Sequence, residues 1–167
     1  MLHLILPDEY CPSIYDYDFA GLKGRGVKAL GFDIDNTLVP HDAPLDGKSA
    51  ALLERLKQMG FSIMILSNNQ EERVRSFAEA AGIDYLHKAA KPKKKPFRTM
   101  LERYGLKPEE AAFFGDQLFT DILGARRSGI YCVLGKPIDP KTDPPHIVVK
   151  RILEKPLLPL VIALRRK

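Results

Sequence analysis

Gly31-Phe32-Asp33-Ile34-Asp35-Asn36-Thr37-Leu38 is the stretch that decides how the rest of the chain is read. An apolar run, Val27 to Phe32, stops on two carboxylates one residue apart. Residues i and i+2 of a strand share a face, so Asp33 and Asp35 can converge where the strand ends. Two acids held that close repel, and each makes the other harder to ionise. A cation relieves that repulsion, and hard oxygen ligands suit Mg²⁺. The same octet also reads as a strand followed by an Asp-Asn turn, so the neighbouring segments must decide between the two.

Downstream, apolar runs and helical patterns alternate. Ser49–Met59 places Leu52, Leu53, Leu56 and Met59 on one helical face, with Gly60 as a stop. Phe61–Leu66 is a continuous apolar run, as expected of a strand covered on both faces, and it ends on Ser67-Asn68-Asn69. A second helix carries Val74, Phe77, Ala78 and Ala81 and closes at Gly82. A short strand, Ile83–Leu86, leads into His87-Lys88-Ala89-Ala90-Lys91-Pro92. The third helix carries Phe97, Met100, Leu101 and Tyr104 and closes at Gly105, and strand Ala111–Phe114 ends on Gly115-Asp116. A fourth helix runs from about Leu118 to Ser128, before a fifth strand, Ile130–Leu134. This alternation predicts an α/β fold: a Rossmann-like three-layer sandwich around a five-stranded parallel sheet. Residues 1–26 read as an irregular arm with one short helix. Their Gly24-Arg25-Gly26 lacks the flanking strand and helix that a dinucleotide fingerprint requires.

In an open parallel sheet, ligands bind beyond the carboxyl ends of the strands. Asp33 and Asp35, Ser67 and Asn68, Lys91, and Asp116, Thr120 and Asp121 all follow such ends. Asp33, Asp116 and Asp121 together call for a divalent, oxygen-loving cation, Mg²⁺ above others. A hydroxyl, backbone N–H groups at a helix start and one lysine call for an anion. Cation and anion together suggest a phosphoryl group. One carboxylate can then act as nucleophile toward phosphorus and its neighbouring acid as acid/base, in a two-step hydrolysis through an aspartyl-phosphate. Ser67, Asn68, Thr37 and Lys91 are candidates for holding phosphate, and Lys91 for offsetting charge in the transition state. Ser67-Asn68-Asn69 also reads as a helix cap, a use compatible with phosphate binding. Lys94 is the alternative to Lys91 in a lysine-rich run. His41 and His87 lie close to the site in sequence, but lone histidines are more often structural or solvent-facing.

Composition narrows the classes. The 167 residues are 45% hydrophobic and 28% charged, which predicts one globular domain: a core at about 27–135, an arm at 1–26 and a tail at 150–167. Cys11 and Cys132 form no framework or metal-ligand spacing, which predicts free thiols in a reducing compartment. No apolar segment reaches the roughly 20 residues of a membrane span, and Met1 to Leu6 carries no signal-peptide pattern. These readings predict a cytoplasmic protein. The net charge of +5 resides in the tail, where Lys150–Lys167 holds six basic residues and one acid. A nucleic-acid binder is not expected, because the basicity is not spread over the body with aromatics interleaved.

The motifs as a set resemble the haloacid dehalogenase-like (HAD) hydrolase superfamily. Asp33-Ile34-Asp35-Asn36-Thr37-Leu38, Ser67-Asn68-Asn69, Lys91-Pro92 and Gly115-Asp116-Gln117-Leu118-Phe119-Thr120-Asp121 are similar to its four motifs, in its order. The Asp-Asn-Thr-Leu, Ser-Asn-Asn and Thr-Asp forms, with Leu-Pro-Asp-Glu-Tyr near the start, resemble the subclass IIIA, YqeG-type phosphatases, relatives of the phosphatidylglycerophosphate phosphatases. The resemblance implies a minimal cap. It also implies Asp33 as nucleophile and Asp35 as acid/base, with Mg²⁺ on the Asp33 side chain, the Asp35 carbonyl and Asp116, and Asp121 in support. An aspartate at position 35 favours phosphatase over dehalogenase or pump chemistry. The apolar, basic-ended segment Pro156–Lys167 reads either as a last helix packed on the body or as a peripheral membrane contact. The resemblance makes phosphatidylglycerophosphate the leading substrate expectation. A small nucleotide or sugar phosphate is the alternative, and a non-catalytic binding protein a third.

Overall fold

The computed structural model describes residues 2–165. Its centre is one parallel sheet of six strands: β1 (Glu9–Cys11), β2 (Ala29–Phe32), β3 (Ser62–Leu66), β4 (Asp84–Leu86), β5 (Ala111–Gly115) and β6 (Tyr131–Gly135). Their order across the sheet is β1-β6-β5-β2-β3-β4. The chain moves outward from β2 through β3 to β4, then returns to β5 on the other side of β2 and continues to β6. The direction of winding therefore reverses between β2 and β5, and a crevice opens at their carboxyl ends. Phe32 is in register with both Ile65 and Phe114.

The sheet has one strand more than the sequence pattern predicts. β1 lies in the arm expected to be irregular, and it pairs in parallel with β6 through only three residues. An edge strand this short needs backbone pairing and little side-chain alternation, so it leaves no periodic trace. Asp8 anchors it. Its carboxylate accepts from the Cys132 N–H at 2.9 Å and pairs with Arg126 at 3.1 Å.

Alternating residues of the strands build two cores. Leu30, Phe32, Ile65, Phe114 and Val133 face helices α1 (Phe19–Gly24), α2 (Gly47–Gln58) and α3 (Glu71–Ala81). Ala29, Met64, Leu66, Phe113 and Leu134 face α4 (Lys95–Tyr104), α5 (Leu123–Arg127) and α7 (Leu158–Leu164). β2 is buried along its whole length, which is why it reads as a continuous apolar run. The expected stops hold: Gly82 and Gly105 end α3 and α4 at φ 61° and 64°, where a side chain would be strained. The fourth predicted helix is not uniform. Leu118–Ile122 is wound as a π-turn before α5 begins. A last pair, α6 (Pro145–Glu154) and α7, follows β6. Arg166 and Lys167, part of the predicted basic terminus, lie outside the described residues.

Candidate active site

Asp33 leaves the end of β2 with its N–H donating to the Phe114 carbonyl at 3.0 Å, so the β2–β5 pairing carries into the acid itself. Asp116 follows β5 directly. Asp121 lies one turn further on, in the π-wound segment, and its Oδ2 accepts from the Gln117 N–H at 3.1 Å. Gly115 permits this packing: a Cβ there would sit 2.4 Å from the Asp121 Cβ. Asp33, Asp116 and Asp121 are all buried, and each offers a carboxylate oxygen within 4.8 Å of the others.

Lys91 reaches this cluster from the loop after β4. Its Nζ stands 2.9 Å from Asp33 Oδ1 and 2.7 Å from Asp121 Oδ1, with the side chain almost fully enclosed. Burial alone would lower the lysine's pKa, but Asp121 and Asp33 outweigh it and hold the ammonium above the ordinary lysine range. Burial pushes Asp33 up to about 7, against the pull of Lys91. Burial likewise holds Asp116 well above the carboxylate range, against the pull of Arg151. Three buried carboxylates facing two fixed cations are under-neutralised. Asp121 Oδ1 also has no well-directed hydrogen bond, despite its closeness to Lys91. Oxygen-only donors, clustered and short of positive charge, fit a hard divalent cation.

The metal contact expected of Asp35 is through its backbone carbonyl; its carboxylate is not part of this cluster. It is half-buried at the cleft wall and surrounded by donors, namely the Asp42 N–H at 2.9 Å, Arg73 at 2.9 Å and the Asn69 amide. His41 Nδ1 lies 3.9 Å away. His87 lies instead 3.8 Å from Glu71, away from the cleft lining.

The expected phosphate-side residues divide. Ser67 is buried at the end of β3 and its Oγ accepts from the Asn69 N–H at 3.2 Å. Asn68 lines the cleft, but its amide is taken up by the Lys91 backbone, donating to the carbonyl at 3.1 Å and accepting from the N–H at 2.8 Å. The Thr37 hydroxyl faces Asp116 Oδ1 at 3.4 Å and does not line the cleft. Of the two candidate lysines, Lys91 lines the cleft and Lys94 is exposed at the start of α4.

A wall of the site comes from a segment that sequence reasoning left out of it. Asp143, His146 and Lys150 line the cleft, whose volume is about 120 Å³. Arg151 of α6 donates to Asp116 Oδ2 at 2.6 Å and also pairs with Asp143. Asn36, at φ 60°, ties this segment to the loop after β2: its amide donates to Asp143 Oδ1 and accepts from the Asp139 N–H, each at 2.7 Å. The concentration of basic residues in the tail was the one signal of this contact, and charge alone does not say what it pairs with.

Comparison with known proteins agrees with this architecture. The haloacid dehalogenase-like hydrolase family profile matches residues 40–129, a span that includes Ser67, Lys91, Asp116 and Asp121 and begins after Asp33 and Asp35. The "Probable phosphatase YqeG" of Bacillus subtilis is 40% identical over 134 residues, covering 80% of this chain and 78% of that protein. The chloroplastic/mitochondrial phosphatidylglycerophosphate phosphatase 1 of Arabidopsis thaliana is 27% identical over 92% of this chain, which spans about half (47%) of that protein's length. Among solved structures, a putative HAD superfamily (subfamily III A) hydrolase from Legionella pneumophila superposes with a TM-score of 0.55 at 20% identity, over 77% of this chain and 72% of its own, and shares the fold. With a family profile over more than half its length and a close relative over most of it, this chain belongs to the haloacid dehalogenase-like hydrolase family.

Proposed function

We propose that this enzyme is a Mg²⁺-dependent phosphatase that hydrolyses a phosphate monoester in two steps at the crevice between β2 and β5. The observation that carries the reading is the position of Lys91, bridging Asp33 and Asp121 beside a buried cluster of three carboxylates. In the first step an Asp33 carboxylate oxygen bonds to phosphorus as the ester bond breaks, and Asp35 gives a proton to the departing oxygen. In the second, Asp35 takes a proton from water, whose oxygen bonds to phosphorus as the bond to Asp33 breaks, releasing inorganic phosphate. The donors around Asp35 hold its carboxylate in one orientation for both transfers. Lys91 sets positive charge against the phosphoryl oxygens. Ser67 and the backbone of Asn68 hold those oxygens, while the Asn68 amide positions Lys91 and Thr37 steadies Asp116. Asp33, the Asp35 carbonyl and Asp116, with Asp121 in support, would hold Mg²⁺, which when bound supplies charge neutralisation for phosphate and carboxylates brought together.

Phosphatidylglycerophosphate is the substrate we favour, supported by the kinship with proteins of that name in Arabidopsis and in Chlamydomonas reinhardtii. A small phosphorylated metabolite is the second reading, favoured by the modest size of the cleft. Phosphate release from a panel that includes phosphatidylglycerophosphate, sugar phosphates and nucleotides, run beside Asp33→Asn, tests both levels. A preference for the lipid by at least about tenfold in kcat/KM, or about 1.4 kcal/mol, is expected. Equal rates for wild type and Asp33→Asn would refute the mechanism.

A further inference from the structure

α6 is built inside out. Its one fully buried side chain is Glu154, at 2% exposure, whose carboxylate accepts from the Phe119 N–H at 2.9 Å. Its aliphatic residues face outward instead: Val149, Ile152 and Leu153 are 58%, 64% and 60% exposed. Spaced i, i+3, i+4, they share one face of the helix. α7 adds Leu160 and Leu164, both about half exposed. Of the seven large apolar side chains exposed among the described residues, six lie on these two helices. A helix in water normally turns such a face to the core, so a contiguous outward patch marks a contact surface. The patch is not a loose end. Val161 of α7 is fully buried in the core and Arg151 fastens α6 to Asp116.

We propose that the outward faces of α6 and α7 dock on the surface of an anionic lipid bilayer, with the mouth of the cleft turned toward the headgroups. The charge pattern selects this occupant. Lys155 and Arg165 are exposed beside the apolar face and Lys150 stands at the cleft mouth, whereas the one acid between Pro145 and Arg165, Glu154, is buried and bonded inward. Apolar side chains rimmed by cations alone match an interfacial helix on negative headgroups. A second copy of this chain fits less well, because a twofold interface sets a patch against itself and would oppose cation to cation. No helix among the described residues is long and apolar enough to cross a membrane, so the contact is superficial. α6 also supplies His146 and Lys150 to the cleft lining, so docking through its outer face brings the site beside a phosphate borne on a lipid. The inference deepens the lipid-phosphate reading and rests on it for its purpose.

The test is co-sedimentation of the full chain with phosphatidylcholine vesicles, with and without phosphatidylglycerol, alongside hydrolysis of p-nitrophenyl phosphate. Wild type is expected to partition onto the anionic vesicles. The triple variant Val149→Glu, Ile152→Glu, Leu153→Glu is expected to lose about tenfold or more of that partitioning while its hydrolysis of the soluble ester is unchanged. Should the triple variant fail to fold, Leu153→Trp serves in its place. The chain has no other tryptophan, and a blue shift of its emission on anionic vesicles supports docking. Wild type left in the supernatant with vesicles of either composition overturns the proposal, and so does an indole emission that vesicles do not move. A wild-type dimer that the triple variant converts to monomer, without vesicle binding, overturns it in favour of a second copy. Vesicle binding without hydrolysis of any phosphate ester upholds docking and sinks the phosphatase reading.

Discussion

Asn68 brackets the backbone of Lys91, its side-chain oxygen accepting the lysine N–H at 2.8 Å and its nitrogen donating to the lysine carbonyl at 3.1 Å. A residue at the end of β3 thereby sets where a lysine beyond β4 enters the acid cluster. Asn68→Ala removes both bonds, and the ammonium is no longer held against Asp33 and Asp121. The expected loss is about 10²-fold in kcat, read from steady-state kinetics on p-nitrophenyl phosphate. Asn68→Asp keeps the acceptor but sets a carboxylate against the Lys91 carbonyl, and should do no better. Normal kinetics in both variants would show that Lys91 is positioned by other contacts.

Asp33 links stability, protons and metal. Burial raises it from an ordinary 3.8 to about 7. An acid raised on folding favours the native state fully below its unfolded pKa, and that contribution is lost as pH climbs through the folded value. Between about pH 4 and 7, therefore, this group makes the metal-free protein progressively less stable. A cation on the same carboxylate competes with its proton. The rise in Tm on adding Mg²⁺ should accordingly grow from about pH 5.5 to about pH 8. Thermal melts in EDTA and in Mg²⁺ across that range check this, and a Tm increment that is flat or shrinking with pH contradicts it.

Arg151 is the cation that faces Asp116, at 2.6 Å. Removing one partner of a buried pair leaves a charge without compensation, a loss of about 3–5 kcal/mol. Arg151→Ala should melt well below wild type in EDTA. Added Mg²⁺ should recover more of the variant's Tm than it adds to wild type, since the metal then replaces the missing charge. A truncation before residue 151 should behave at least as badly, because it removes Arg151 together with Val161, which is buried in the core.

Gly115→Ala introduces a Cβ 2.4 Å from that of Asp121, so one of the two residues must shift. Overpacking of this kind costs about 1–3 kcal/mol. It should also push Asp121 out of reach of Lys91. A lower Tm together with weaker Mg²⁺ binding by calorimetry is the expected pair of results. A lower Tm with unchanged metal affinity would mean that Asp121 is not part of the cation site.

Much of this molecule is legible from local pattern. β2, β3, β5 and β6 are covered on both faces, so burial writes them into the chain as unbroken apolar runs. The helices between them show their buried stripes and glycine stops, and the polar residues that follow each run mark one rim of the sheet. That sufficed for the α/β class and the parallel sheet. What the chain alone did not reveal depends on partners distant in sequence. β1 exists because β6 offers an unpaired edge, a fact of the sheet and not of Glu9-Tyr10-Cys11. The Asp35 carboxylate is held by Arg73 and Asn69, on and before α3, partners more than thirty residues away. Asn68 spends its amide on Lys91, 23 residues away. The C-terminal helices become part of the site through Arg151 and Asp143, which meet Asp116 and Asn36 only once the sheet has formed. Periodicity records which face of an element is buried, whereas the pairing of charges across the crevice is set by three-dimensional proximity, which no local run of residues encodes.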